Sequence, residues 1–144
     1  MKLLNYEPKE YLPGIILDKQ SGKFEIWGKT CPEDAVAFYE PVFDWLDEYV
    51  DDPLEKTVFD FRLTYFNTVS SKILMMIMMR LEEMKESGGD VKIRWFYPEE
   101  DDDLEEAGVD FSGILEIDFE MIPYCSENNE NEIDPFENLF DSLL

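Results

Sequence analysis

The spacing of apolar and polar residues changes several times along this chain, and each change marks an element. Ile15-Ile16-Leu17 is a short apolar run of strand type, and Asp18 to Gly22 carries turn chemistry. Lys23-Phe24-Glu25-Ile26-Trp27 then alternates with period two, so the pair predicts an N-terminal hairpin that Gly28 ends. A helix is predicted from near Cys31, with Thr30 as its cap, Pro32 in its first turn, and Glu33 and Asp34 at its positive end. Apolar residues recur at helical spacing from Val36 through Phe38, Tyr39, Val42, Phe43 and Leu46 to Tyr49 and Val50, with Pro41 placed to kink the run. Asp51-Asp52-Pro53 closes it.

The clearest strand follows. Phe59, Phe61, Leu63 and Tyr65 share one face, and Val58, Asp60, Arg62 and Thr64 the other. It runs directly into Asn67-Thr68 and a second helix, about Val69 to Lys85, whose stripe is Ile73, Ile77, Leu81 and Met84. Further methionines lie off that stripe, which implies either burial on two sides or an adaptable docking surface. Ser87-Gly88-Gly89 is a helix stop, and Val91 to Tyr97 a strand that Pro98 ends. Glu99 to Glu106 holds seven acids in eight residues and predicts a short solvated helix. Phe111, Ile114, Leu115 and Ile117 return the chain to the core, and Glu116 to Ile122 is the last strand.

Residues 1–125 therefore read as one α/β domain, a mixed central sheet with helices packed on it, in the order β-β-α-β-α-β-(α)-β. Residues 126–144 read as an acidic tail with six acids and no bases. Within it Asp134-Pro135 predicts a short helix whose face carries Phe136, Leu139, Phe140, Leu143 and Leu144. That stripe suits packing on its own domain or docking to a partner.

Composition narrows the function. With 35 acids against 12 bases the formal net charge is −23, which repels nucleic-acid phosphates and anionic lipid headgroups. Partners should present basic or apolar surfaces. Histidine is absent, which removes the commonest general acid/base and neutral-pH metal ligand. Cys31 and Cys125 have neither zinc nor disulfide spacing. The first residues lack a leader-type apolar run, and the longest apolar stretch, Ile73 to Met79, is seven residues. A cytoplasmic protein of bacterial type without catalytic residues, metal or cofactor is expected.

The segment Tyr65-Phe66-Asn67-Thr68-Val69-Ser70-Ser71-Lys72 places three hydroxyls at a strand-to-helix junction. The first N–H groups of a helix lack intrahelical acceptors, and the macrodipole makes that end positive. A phosphate there would meet donors and add about −1.5 to −2 charge. An ordinary N-cap by Asn67 or Thr68, contributing about 1 kcal/mol, accounts for the same residues.

The chain resembles the SiaC family of bacterial regulatory phosphoproteins, related in fold to the STAS domains of anti-anti-sigma factors. Tyr65-Phe66-Asn67-Thr68 with its Ser-Ser-Lys helix start carries the resemblance, supported by Trp95-Phe96-Tyr97 with the acidic stretch after it, Glu106-Ala107-Gly108 and the strand containing Phe119. It spans about residues 5 to 124. It implies phosphorylation at Thr68 by a dedicated kinase and removal by a PP2C-type phosphatase. The unphosphorylated form is then expected to bind and activate a diguanylate cyclase, raising cyclic-di-GMP and promoting aggregation or biofilm. Tyr65, Phe66, Asn67, Ser70, Ser71 and Lys72 would surround the phosphosite. Val69 replaces the small polar residue expected in relatives, and the tail has no counterpart. Two other readings compete: a constitutive adaptor docking through the methionine-rich helix or the tail, and a carboxylate enzyme holding Mg²⁺ or Ca²⁺ at Glu99 to Asp103.

Overall fold

The computed structural model describes residues 1–125. The elements run β1 (Leu4–Tyr6), β2 (Gly14–Asp18), β3 (Lys23–Thr30), α1 (Ala35–Tyr49), β4 (Lys56–Phe66), α2 (Thr68–Glu86), β5 (Asp90–Pro98), α3 (Asp102–Ile114) and β6 (Asp118–Tyr124). The strands lie in one sheet in chain order, β1-β2-β3-β4-β5-β6. The first three are antiparallel, and β3 to β6 are parallel, joined through α1, α2 and α3. This is the expected single α/β domain with a mixed sheet, with β1 added at the edge. Three residues are too few to show a period, so β1 is invisible to patterning. The tail prediction, residues 126–144, lies outside the described residues.

The hairpin forms as its sequence dictates. Asp18 accepts from Gln20 N–H (3.1 Å) and Ser21 Oγ (2.7 Å), and Gly22 adopts φ 75°. Phe24 and Ile26 then face the helices and are buried, as are Phe59, Phe61 and Leu63 of β4 and Ile93 and Trp95 of β5. The predicted α2 stripe, Ile73, Ile77, Leu81 and Met84, is buried against that face. Each such side chain contributes about 1.5–3 kcal/mol through burial. At the other end of the core Phe24 meets Tyr49 (5.2 Å) and Trp45 (5.8 Å) of α1.

Four details correct the sequence expectations. Thr30 does not cap α1; Asp34 does, accepting from Ala37 N–H at 3.1 Å. Pro32 disfavours helical geometry at Cys31, so the helix cannot start there. The helix runs through Pro41, while Val36, at 68% exposure, lies off its buried face. Tyr65 does not join Phe59, Phe61 and Leu63 inside; it is 53% exposed. The register between β3 and β4 moves from Gly28↔Leu63 to Lys29↔Tyr65, so Thr64 is an extra residue on β4. One extra residue exchanges the faces of all that follow, sending Tyr65 out and Phe66 in. Finally, the acidic run does not make a short solvated helix. It supplies the cap and first turn of a 13-residue one whose Leu104, Gly108 and Phe111 are buried. Ile114, about 80° around the helix from that stripe, is exposed.

Candidate functional site

The parallel strands end together, so Thr30, Phe66, Pro98 and Tyr124 mark one edge of the sheet. The N-termini of α1, α2 and α3 follow from that edge. At α2, Asn67 is extended (φ −89°, ψ 177°) and its side-chain oxygen accepts from Ser70 N–H at 2.9 Å. Its carbonyl accepts from Ser71 N–H at 2.9 Å, the first bond of the helix. Asn67 is therefore the cap, and Thr68 is the first helical residue. The N–H groups of Thr68 and Val69 precede the first intrahelical bond and point out of the helix end. No acidic residue occupies this first turn.

The three hydroxyls have different surroundings. Thr68 is exposed. Ser71, half-buried, donates to Thr68 O at 2.6 Å. Ser70 is fully buried and its Oγ accepts from Thr30 Oγ1 at 3.3 Å. Thr30 Oγ1 also lies 2.6 Å from the Tyr39 hydroxyl. This buried chain ties α1, β3 and α2 together beneath the phosphosite candidate. Burial pushes the Tyr39 phenol up to about 12, the bond to Thr30 opposing it. Sequence reasoning missed Thr30 and Tyr39 as part of the site; forty positions separate Thr30 from Ser70, and neither residue carries a motif.

Around Thr68 the structure brings Tyr65, Val69 and Lys72 together on the surface and turns Phe66 inward. Phe66 packs edge-on against Trp95 (6.0 Å) and near Phe111 (6.4 Å). Val69, Met76 and Met79 are 52%, 49% and 47% exposed, whereas Met78 and Met84 are core residues. Val69, Lys72, Met76 and Met79 follow one another at three- and four-residue steps, one face of α2. A groove of about 320 Å³ beside the junction is lined by Tyr65, Phe66, Asp101, Asp103, Leu104 and Ala107.

Residues 6–124 match the model of the SiaC family regulatory phosphoproteins. The chain belongs to the SiaC family. A curated relative, an uncharacterized protein of Pseudomonas aeruginosa (strain UCBPP-PA14), is 32% identical over 99 residues, 69% of this chain and 79% of its own. The fold is similar to the crystal structure of apo-SiaC from Pseudomonas aeruginosa, with TM-score 0.78 and 29% identity over 85% of this chain and 99% of that one. It is equally similar to a chain in the crystal structure of diguanylate cyclase SiaD in complex with its activator SiaC from the same organism, with TM-score 0.80 and 28% identity over 84% and 99%.

Membership makes the chain a regulatory protein of a signalling family. Among the described residues, no three His, Cys, Asp or Glu side chains are grouped to hold a metal ion, those of Glu99 to Asp103 included. Instead Asp101 caps Leu104 N–H at 3.0 Å, and the acids after it line the positive end of α3. No described helix is long and apolar enough to cross a membrane.

Proposed function

We propose that this chain is a phosphorylation-controlled activator of a diguanylate cyclase, with Thr68 as the phosphoacceptor. The observation that carries the reading is the exposed Thr68 at the uncovered positive end of α2, next to an exposed apolar strip of Tyr65, Val69, Met76 and Met79. The unphosphorylated strip docks the cyclase. A phosphate on Thr68 adds two negative charges at most to a surface that must desolvate, while the free N–H groups of α2 stabilise the phosphate on the protein. A dedicated kinase adds it and a PP2C-type phosphatase removes it. The activator SiaC crystallised with SiaD supports the choice of partner class, and the family's description as phosphoproteins supports the switch.

Ser70 is a poor acceptor, because its hydroxyl is buried and bonded to Thr30. Intact-mass analysis after incubation with the partner kinase should therefore find one phosphate, lost in Thr68→Ala and kept in Ser70→Ala and Ser71→Ala. Thr68→Ala should capture the cyclase like the parent, and Thr68→Glu at least tenfold more weakly, about 1.4 kcal/mol. Equal capture by both variants would sink the switch. Capture lost on Met76→Ala/Met79→Ala but indifferent to phosphate would favour the constitutive adaptor.

A further inference from the structure

Acids are spread along this chain except in one window. From Phe61 to Leu81 there are 21 residues without an Asp or Glu, and all 35 acids lie outside it. The window holds three bases, Arg62, Lys72 and Arg80. Other elements neutralise two of them: Glu25 of β3 meets Arg62 at 2.8 Å, and Asp47 of α1 pairs with Arg80. Among the described residues no carboxylate pairs with Lys72.

Lys72 is exposed on the outer face of α2. Thr68 precedes it by one turn, and Val69, Met76 and Met79 surround it at three-, four- and seven-residue steps. The face runs about 17 Å from Thr68 to Met79. Acids flank it without entering it. Glu82 and Glu83 follow it along α2, and Asp101 and Asp103 line the groove that Tyr65 shares. An ammonium group set among methionines restricts what can cover this surface. A partner that is apolar throughout would bury the charge without compensation, and a basic partner would place like charges together. A carboxylate among apolar residues meets both demands. The charge of the whole chain favours basic or apolar partners, and this face is the local exception.

We infer that the cyclase surface docking on α2 presents an acidic residue to Lys72, and that phosphate on Thr68 draws Lys72 away from it. The inference rests on α2 as the docking face. A negative group four residues before a lysine is the favourable order on a helix, so the phosphate pairs with Lys72 in cis. The same phosphate confronts the partner's acid as a like charge. One modification thus removes an attraction and installs a repulsion. Added charge alone would be a small fraction of −23, and at exposed positions it is screened beyond about 8 Å.

Calorimetric titration of the full unphosphorylated chain into the cyclase tests the partner's chemistry. Lys72→Glu should weaken binding about tenfold or more. Lys56→Glu, at an exposed position where β4 begins, changes the net charge equally and should stay within about twofold of the parent. Binding by Lys72→Glu that equals or exceeds the parent's, while Met76→Ala/Met79→Ala still loses it, would overturn the inference and leave the docking face standing. Equal losses in Lys72→Glu and Lys56→Glu would also overturn it, because only the overall field of the protein would be at work. If Met76→Ala/Met79→Ala binds like the parent, the docking face fails and the inference fails with it. Phosphorus NMR of the phosphorylated chain, without cyclase, tests the exchange. Lys72→Met should raise the second ionisation of the phosphate on Thr68 by about 0.3 of a pH unit. An unmoved titration would mean that Lys72 does not hold the phosphate, and the exchange would be lost.

Discussion

α2 and α3 begin alike and end up with different chemistry. Each follows a parallel strand at the same edge of the sheet, and each is capped by an Asx side chain accepting from the N–H three residues on. At α3 the positive end is already covered by Asp102, Asp103 and Glu105. At α2 the first turn holds Thr68, Val69 and Ser70 and no acid. Backbone geometry offers an anion seat at both; the side chains fill one and leave the other open to a reversible charge. The anchors beneath differ too. α3 is seated through an indole, Trp95 donating to Leu104 O, with Gly108 bare where a Cβ would lie 2.5 Å from that ring. α2 is seated through the hydroxyl chain Tyr39–Thr30–Ser70.

The largest expected effect separates those anchors. Trp95→Ala should cost about 3–5 kcal/mol by opening a core cavity under α3, while Ser70→Ala should cost about 1 kcal/mol, the net contribution of one hydrogen bond. Urea unfolding measures both, and equal losses would void the distinction.

Next comes pH. With the Tyr39 phenol raised to about 12, the folded state keeps a proton that the unfolded chain loses near pH 10. This contribution is complete below pH 10 and is lost as pH climbs to about 12, some 2–3 kcal/mol in all. Stability measured across that range should fall less steeply in Tyr39→Phe than in the parent.

The caps follow. Asn67→Ala and Asp101→Ala should each cost about 1 kcal/mol. Only the second removes a charge from a helix end, so only its cost should shrink in added salt. The smallest effect makes α2 imitate α3. Val69→Asp should stabilise the unphosphorylated chain by about 0.3–1 kcal/mol and abolish any further gain in melting temperature when Thr68 is phosphorylated. If phosphate stabilised Val69→Asp as much as the parent, the two helix ends would not be competing for the same charge.

Much of the fold was legible because local chemistry and tertiary burial agree. The β2–β3 hairpin, the α2 stripe and the Ser87-Gly88-Gly89 stop are each written in consecutive residues. Of the candidate site, the hydroxyls and the pair Asn67 or Thr68 as cap were legible, but the choice of Asn67 and the environments of the hydroxyls were not. Thr64 as an extra residue on β4 depends on β3's register, so the outward turn of Tyr65 has no signal in its own strand. Thr30 looks like a cap by type, yet it is buried in a contact with residues on two helices.

The sequence by itself determined every described strand and helix except β1, that α2 begins near Asn67-Thr68 without an acid in its first turn, and that the chain is overwhelmingly negative. Periodicity, capping and charge are local properties, readable without partners. Only the tertiary structure decided which of the three hydroxyls faces solvent, which methionines stay exposed, and that the described helices all pack on one face of the sheet. Those depend on contacts between residues far apart in the chain, which exist only once the sheet has assembled.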